Sequence, residues 1–127
     1  MNVGILYMIC IMYLWILTLI LIIFSTSVNQ ILIVKIINYI TVVTMTIFLG
    51  ILVFTNLIEN PSDVKTTFII YSVVAIVLGI INIYETFINQ GYDKETENVI
   101  SGISGLLIGI SISFIILAIS NSFSALL

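Results

Sequence analysis

The sequence predicts an all-α, polytopic integral membrane protein with four transmembrane helices in an antiparallel up-down arrangement. Three observations predict it: the apolar composition, the placement of the few charges, and the short polar connectors between uncharged runs. Of 127 residues, 61% are hydrophobic and only 7% are charged, where a soluble domain carries roughly a quarter. The mean hydropathy is +1.36. A chain of this length has too little interior to hide so much apolar surface from water, whereas in a bilayer that surface need not be hidden. One membrane domain over residues 1–127 is the organisation expected.

The charges divide the chain. They are Lys35, Glu59, Asp63, Lys65, Glu85, Asp93, Lys94, Glu95 and Glu97. None lies before Lys35, between Lys35 and Glu59, between Lys65 and Glu85, or after Glu97. A helical crossing needs about 20 apolar residues, and each uncharged gap holds one. The expected helices cover roughly 3–24, 35–58, 68–88 and 99–120. Membrane β-strands would alternate apolar and polar residues, and a soluble bundle would carry a charged face on each helix. Neither pattern is present.

The first run lacks the basic start of a signal peptide, and its apolar core exceeds the usual length of about 7–15 residues. It is therefore read as a retained span, although Ser25-Thr26-Ser27 offers small residues of the kind a peptidase accepts. Trp15 falls near its middle rather than in an interfacial aromatic belt. The indole is expected to pack against protein or to donate its N–H to a neighbouring helix. Met8 and Met12 flank Cys10. Soft sulfur ligands suit Cu(I), but methionine at helical spacing is ordinary packing material, and no metal is expected.

The second run begins at Lys35 and carries a mildly polar edge of Asn38, Thr41 and Thr44. A helical threonine can bond a carbonyl of the preceding turn, so this edge is weak support for a pore. The connector Glu59-Asn60-Pro61-Ser62-Asp63 holds the single proline, which removes a backbone donor and biases the residue before it away from helix.

The third run carries Asn82, Glu85 and Asn89 at helical spacing, in line with Tyr71, Ala75 and Leu78. Ionisable groups within a span are costly and tend to be paired or functional. Antiparallel neighbours would bring the start of the second helix to the depth of the end of the third. Lys35, Glu85 and Asn82 are therefore the candidate intramembrane polar group, with a Lys35–Glu85 ion pair as its sharpest form. Headgroup-level placement of Glu85 is the plainer alternative.

The fourth run carries Ser101, Gly105, Gly109 and Ser113, each four residues after the last. Such residues share one helix face, and small side chains there let another backbone approach closely. This is the candidate helix-packing interface, either with another helix of the same chain or with another subunit.

The chemistry of the chain is mostly exclusion. Without histidine, Ser–His–Asp and Cys–His sets are impossible, and no phosphate-binding or dinucleotide glycine fingerprint occurs. Asp93, Lys94, Glu95 and Glu97 read as a solvated connector. The net charge of -3 and the lack of arginine argue against neutralising nucleic-acid phosphates. No catalytic residue and no cofactor is expected. Two lysines lie on one side of the membrane and one on the other, which leaves orientation open.

The stretch from about Phe68 to Leu127 loosely resembles the helical hairpin of conjugative pilins of type IV secretion systems. It has two apolar helices, a short polar turn and a Gly/Ser-rich second helix. That resemblance implies a filament or envelope protein. Small multidrug transporters are similar in size, but that family carries an essential glutamate in its first helix, where this chain has no charge. Thr66-Thr67-Phe68 is similar to a fragment of the third helix of fluoride channels, without the surrounding glycine and arginine pattern.

The expected function is that of a small non-catalytic integral membrane subunit of a larger membrane protein assembly, contributing helix packing. A small homo-oligomeric channel or transporter and a pilin-like filament or envelope protein are the alternatives. The expected partners are the lipid bilayer and other membrane subunits, or a second copy bound through the fourth helix.

Overall fold

In a computed structural model, residues 3–26, 32–55, 61–88 and 94–120 are described. They form four α-helices: α1 (Val3–Thr26), α2 (Leu32–Thr55), α3 (Pro61–Ile88) and α4 (Lys94–Ile119). All four are long and apolar enough to cross a membrane. At about 1.5 Å per residue, even the 24-residue α1 and α2 exceed a hydrocarbon core of about 30 Å.

Helix ends and apolar ends differ. α2 begins a turn before Lys35, and its expected end at Ile58 lies outside the described residues. α3 begins two turns before Phe68, at Pro61. Proline suits a first helical position because its fixed φ is already helical and its missing N–H has no partner to lose there. α4 begins at Lys94, not Val99, so Lys94–Glu97 is the first turn of a helix and not a connector. Glu and Lys are good helix formers, and Glu95 and Glu97 sit where the positive end of the helix dipole favours them. Hydropathy marks where a chain is apolar; it does not mark where its backbone stops being helical.

The helices form a bundle. α3 and α4 share the most extensive contact, and α1 touches all three others. α2 touches α1 and α3, and among the described residues it makes no contact with α4. Each helix turns one stripe inward at three- and four-residue spacing. On α1 these are Tyr7, Cys10, Ile11, Leu14, Leu17, Thr18 and Leu21; on α2, Val34, Asn38, Thr41, Met45 and Leu52. α4 buries Ile100, Ser104, Leu107, Ser111 and Ala118. Phe68 of α3 is fully buried, with ring centroids 5.1 Å from Tyr7 and 5.6 Å from Phe114. One side chain thus ties α1, α3 and α4 together.

The outside is as apolar as the inside. Phe54 and Phe87 are 88% and 72% exposed, and Ile23, Ile33, Ile40, Tyr84 and Ile119 are also exposed. Soluble monomers rarely show large contiguous apolar patches. Here apolar side chains stand outward on every helix.

Candidate functional site

The interior holds polar side chains beside the apolar ones. Thr18, Asn38, Thr41, Ser72, Asn82, Glu85, Thr86, Ser104 and Ser111 are all buried. Most hydroxyls are satisfied locally. Thr18, Thr41, Ser72 and Thr86 each donate to the carbonyl four residues earlier, at 2.7–2.9 Å. These bonds stay within one helix and leave helix pairing to other groups.

Other hydrogen bonds cross between helices. Trp15 Nε1 on α1 donates to Thr46 Oγ1 on α2 at 2.8 Å, while that hydroxyl donates to the Val42 carbonyl. Tyr71 OH on α3 donates to the Thr44 carbonyl on α2 at 3.0 Å. Asn38 and Asn82 face each other as an amide pair. Asn82 Nδ2 donates to Asn38 Oδ1 at 3.1 Å, and Asn38 Nδ2 returns a longer contact to Asn82 Oδ1 at 3.4 Å. Asn82 Nδ2 also donates to the Leu78 carbonyl at 2.8 Å. The expectation for Trp15 is met by its bond to Thr46.

The Lys35, Glu85 and Asn82 group is arranged differently from the ion pair expected. Among the described residues, no Lys35–Glu85 ion pair forms. Lys35 is half-buried, whereas Glu85 is only 3% exposed. The polar contact at this end of the α2–α3 seam is made three residues further in on each helix, by Asn38 and Asn82. The long ammonium arm of lysine can run outward along apolar surface, and the short amides cannot leave the seam. Asn89 lies outside the described residues, as do Glu59 and Asp93.

The small-residue ladder of α4 does not face the bundle. Ser101 is half-buried, and Gly105, Gly109 and Ser113 are exposed. A Cβ added at Gly105 or Gly109 would meet nothing within 4 Å. Within the chain, the close approach falls instead on Gly79 of α3. A Cβ there would stand 2.6 Å from Ile108 Cγ1 and 3.0 Å from the Ser104 carbonyl oxygen. The packing face of α4 is the one carrying Ser104 and Ser111, whose hydroxyls are buried with no hydrogen-bond partner among the described residues. Sequence reasoning missed Gly79 because it stands alone in its helix. The run Ser72, Ala75, Gly79 was the available signal, small residues at helical spacing on one face.

Two open grooves flank α2. One, of about 290 Å³, lies between α1 and α2 and is lined by Met8, Met12, Trp15, Leu49, Gly50 and Val53. The other, of about 310 Å³, lies between α2 and α3 beside Thr44 and Tyr71. Cys10 is buried, and among the described residues no three His, Cys, Asp or Glu side chains gather as metal ligands would. Comparison with known protein families, characterised proteins and solved structures finds no match.

Proposed function

We propose that the chain is a small, non-catalytic subunit of a larger membrane assembly, inserted in the bilayer as four antiparallel crossings. The observation that carries this reading is the outward face of α4. Gly105, Gly109 and Ser113 are exposed, with open space above both glycines. In a lipid environment, helices associate through close packing and backbone approach rather than through hydrophobic burial. A small-residue face turned away from its own bundle suits the backbone of a partner's helix. The apolar exterior supports insertion, since Phe54 and Phe87 would be costly in water.

The contact register supports antiparallel neighbours. Trp15 meets Thr46, and Met8, earlier in α1, shares a groove with Val53, later in α2. Asn38 meets Asn82, and the later Thr44 meets the earlier Tyr71. Phe68 meets Phe114, and the later Gly79 meets the earlier Ser104.

Purification of the tagged chain in mild detergent tests the reading. Different subunits should co-purify, and Gly105→Leu with Gly109→Leu should release them while leaving the chain helical and monodisperse. A lone monomer, or a complex indifferent to both substitutions, overturns it.

A channel or transporter is the second reading, and one observation favours it: Glu85, Asn38, Asn82 and Thr86 are all buried near one end of α2 and α3. An ionisable side chain inside a span is by default a functional candidate. Cation flux into vesicles holding the purified chain, lost in Glu85→Gln, would favour this reading over the scaffold.

A further inference from the structure

We propose that α2 is a swinging helix, joined to α1 along its length and latched to α3 by the Asn38–Asn82 amide pair, so that release of the latch opens the α2–α3 seam to the bilayer. Among the described residues α2, like α4, is held from two sides only, and its two contacts are unequal. It contributes Met45 and Leu52 to the common core, and Thr46 accepts the Trp15 hydrogen bond from α1. Towards α3 its contact is the slightest of those in the bundle, and it does not reach α4 among the described residues. Past the latch, the seam widens into the groove of about 310 Å³ between Ile40, Thr41 and Thr44 on α2 and Thr67, Ile70 and Tyr71 on α3. Beside that groove Tyr71 crosses to α2 twice, through its hydrogen bond to the Thr44 carbonyl and through its ring, 5.5 Å from that of Phe48.

The latch is built to let go. Its Asn38 Nδ2 contact, at 3.4 Å, is longer than the usual 2.7–3.2 Å of a strong N–H···O bond. Asn82 also holds a 2.8 Å bond to the Leu78 carbonyl of its own helix, a bond that does not involve α2. Thr41 and Thr44 bond their own helix, so opening the seam strands neither hydroxyl. The apolar surface uncovered is taken up by lipid chains, which are as apolar as leucine. The contacts described across the seam are the two amide contacts, the phenol contact and the Phe48–Tyr71 ring pair, with centroids 5.5 Å apart, a small set on which an equilibrium can turn.

Spin-label distances in lipid nanodiscs test this, in full-length protein with Cys10→Ala. Labels at Ile40 and Val73, both exposed, report across the seam. Labels at Val73 and Ile112 report the α3–α4 contact as a control. The seam pair should show two distances, and Asn38→Leu should raise the longer population roughly three-fold, the shift that typical hydrogen-bond coupling between membrane helices supports. The control should stay single and narrow. A single unchanged seam distance in both proteins overturns the proposal, as does equal broadening of the control. Asn82→Leu tests the same latch from α3 should Asn38→Leu not fold. In a separate measurement, Thr41→Cys, buried in the seam, should react with a lipid-soluble maleimide roughly three-fold faster when Asn38→Leu or Asn82→Leu is added. An unchanged rate counts against the latch.

Discussion

The indole of Trp15 and the amides of Asn38 and Asn82 each make a hydrogen bond from one helix to another. Each is therefore open to a double-mutant cycle. Trp15→Phe with Thr46→Val, and Asn38→Ala with Asn82→Ala, should each show coupling of about 0.6–1.7 kcal/mol in a reversible unfolding assay in lipid, the range found for hydrogen bonds between membrane helices. Lys35→Ala with Glu85→Gln should be additive, because Lys35 makes no ion pair among the described residues. The hydroxyls of Ser104 and Ser111 have no hydrogen-bond partner among the described residues, so size is what these two side chains are expected to contribute. Ser104→Ala and Ser111→Ala should leave stability unchanged or raise it by about 1 kcal/mol, since a buried unsatisfied hydroxyl costs on that order. A clear loss of stability in either alanine variant would mean that its hydroxyl is bonded after all. The reading that suggested Lys35 opposite Glu85 drew on charge, and the contact that forms is between Asn38 and Asn82, three residues further in on each helix. Charge drew attention to the outer pair, whereas side-chain length and burial selected the inner one.

At the scale of the helix, two glycine positions look alike in sequence and differ in space. Gly109 belongs to a GxxxG and Gly79 stands alone, yet Gly79 is where another helix comes closest. Gly79→Leu should unfold or rearrange the bundle, seen as loss of helicity and a broadened elution profile, because the Ser104 backbone cannot yield as a flexible side chain can. Gly105→Leu should leave the isolated chain intact. The four helices were legible because the charges divide the sequence into uncharged runs, each long enough for one helix of membrane length. Which face of α4 turns inward was not legible. In a water-soluble helix the inward face is the apolar one, but here both faces are apolar. Ser104 and Ser111 repeat at helical spacing much as Gly105 and Gly109 do. The early starts of α3 and α4 escaped for the related reason that Lys94, Glu95 and Glu97 are polar and helix-forming at once.

For the molecule as a whole, Phe68 stands where α1, α3 and α4 meet. Phe68→Ala should lower stability by less than the roughly 3–5 kcal/mol seen in soluble cores. The cavity cost remains, but the transfer from water that makes up much of that figure is missing for a chain that stays in lipid. A loss as large as in soluble proteins would argue that the bundle unfolds into water.

The position of α1 bears on how such a chain is made. Among the four described helices it is the earliest in the chain, and it is the one that touches all the rest. During synthesis, α2 and then α3 and α4 should therefore each emerge to find a docking surface already waiting. Nascent chains stalled after α2 should already protect Trp15 and Thr46 from probes in the lipid. By contrast, Gly79 should become protected only once α4 has left the ribosome.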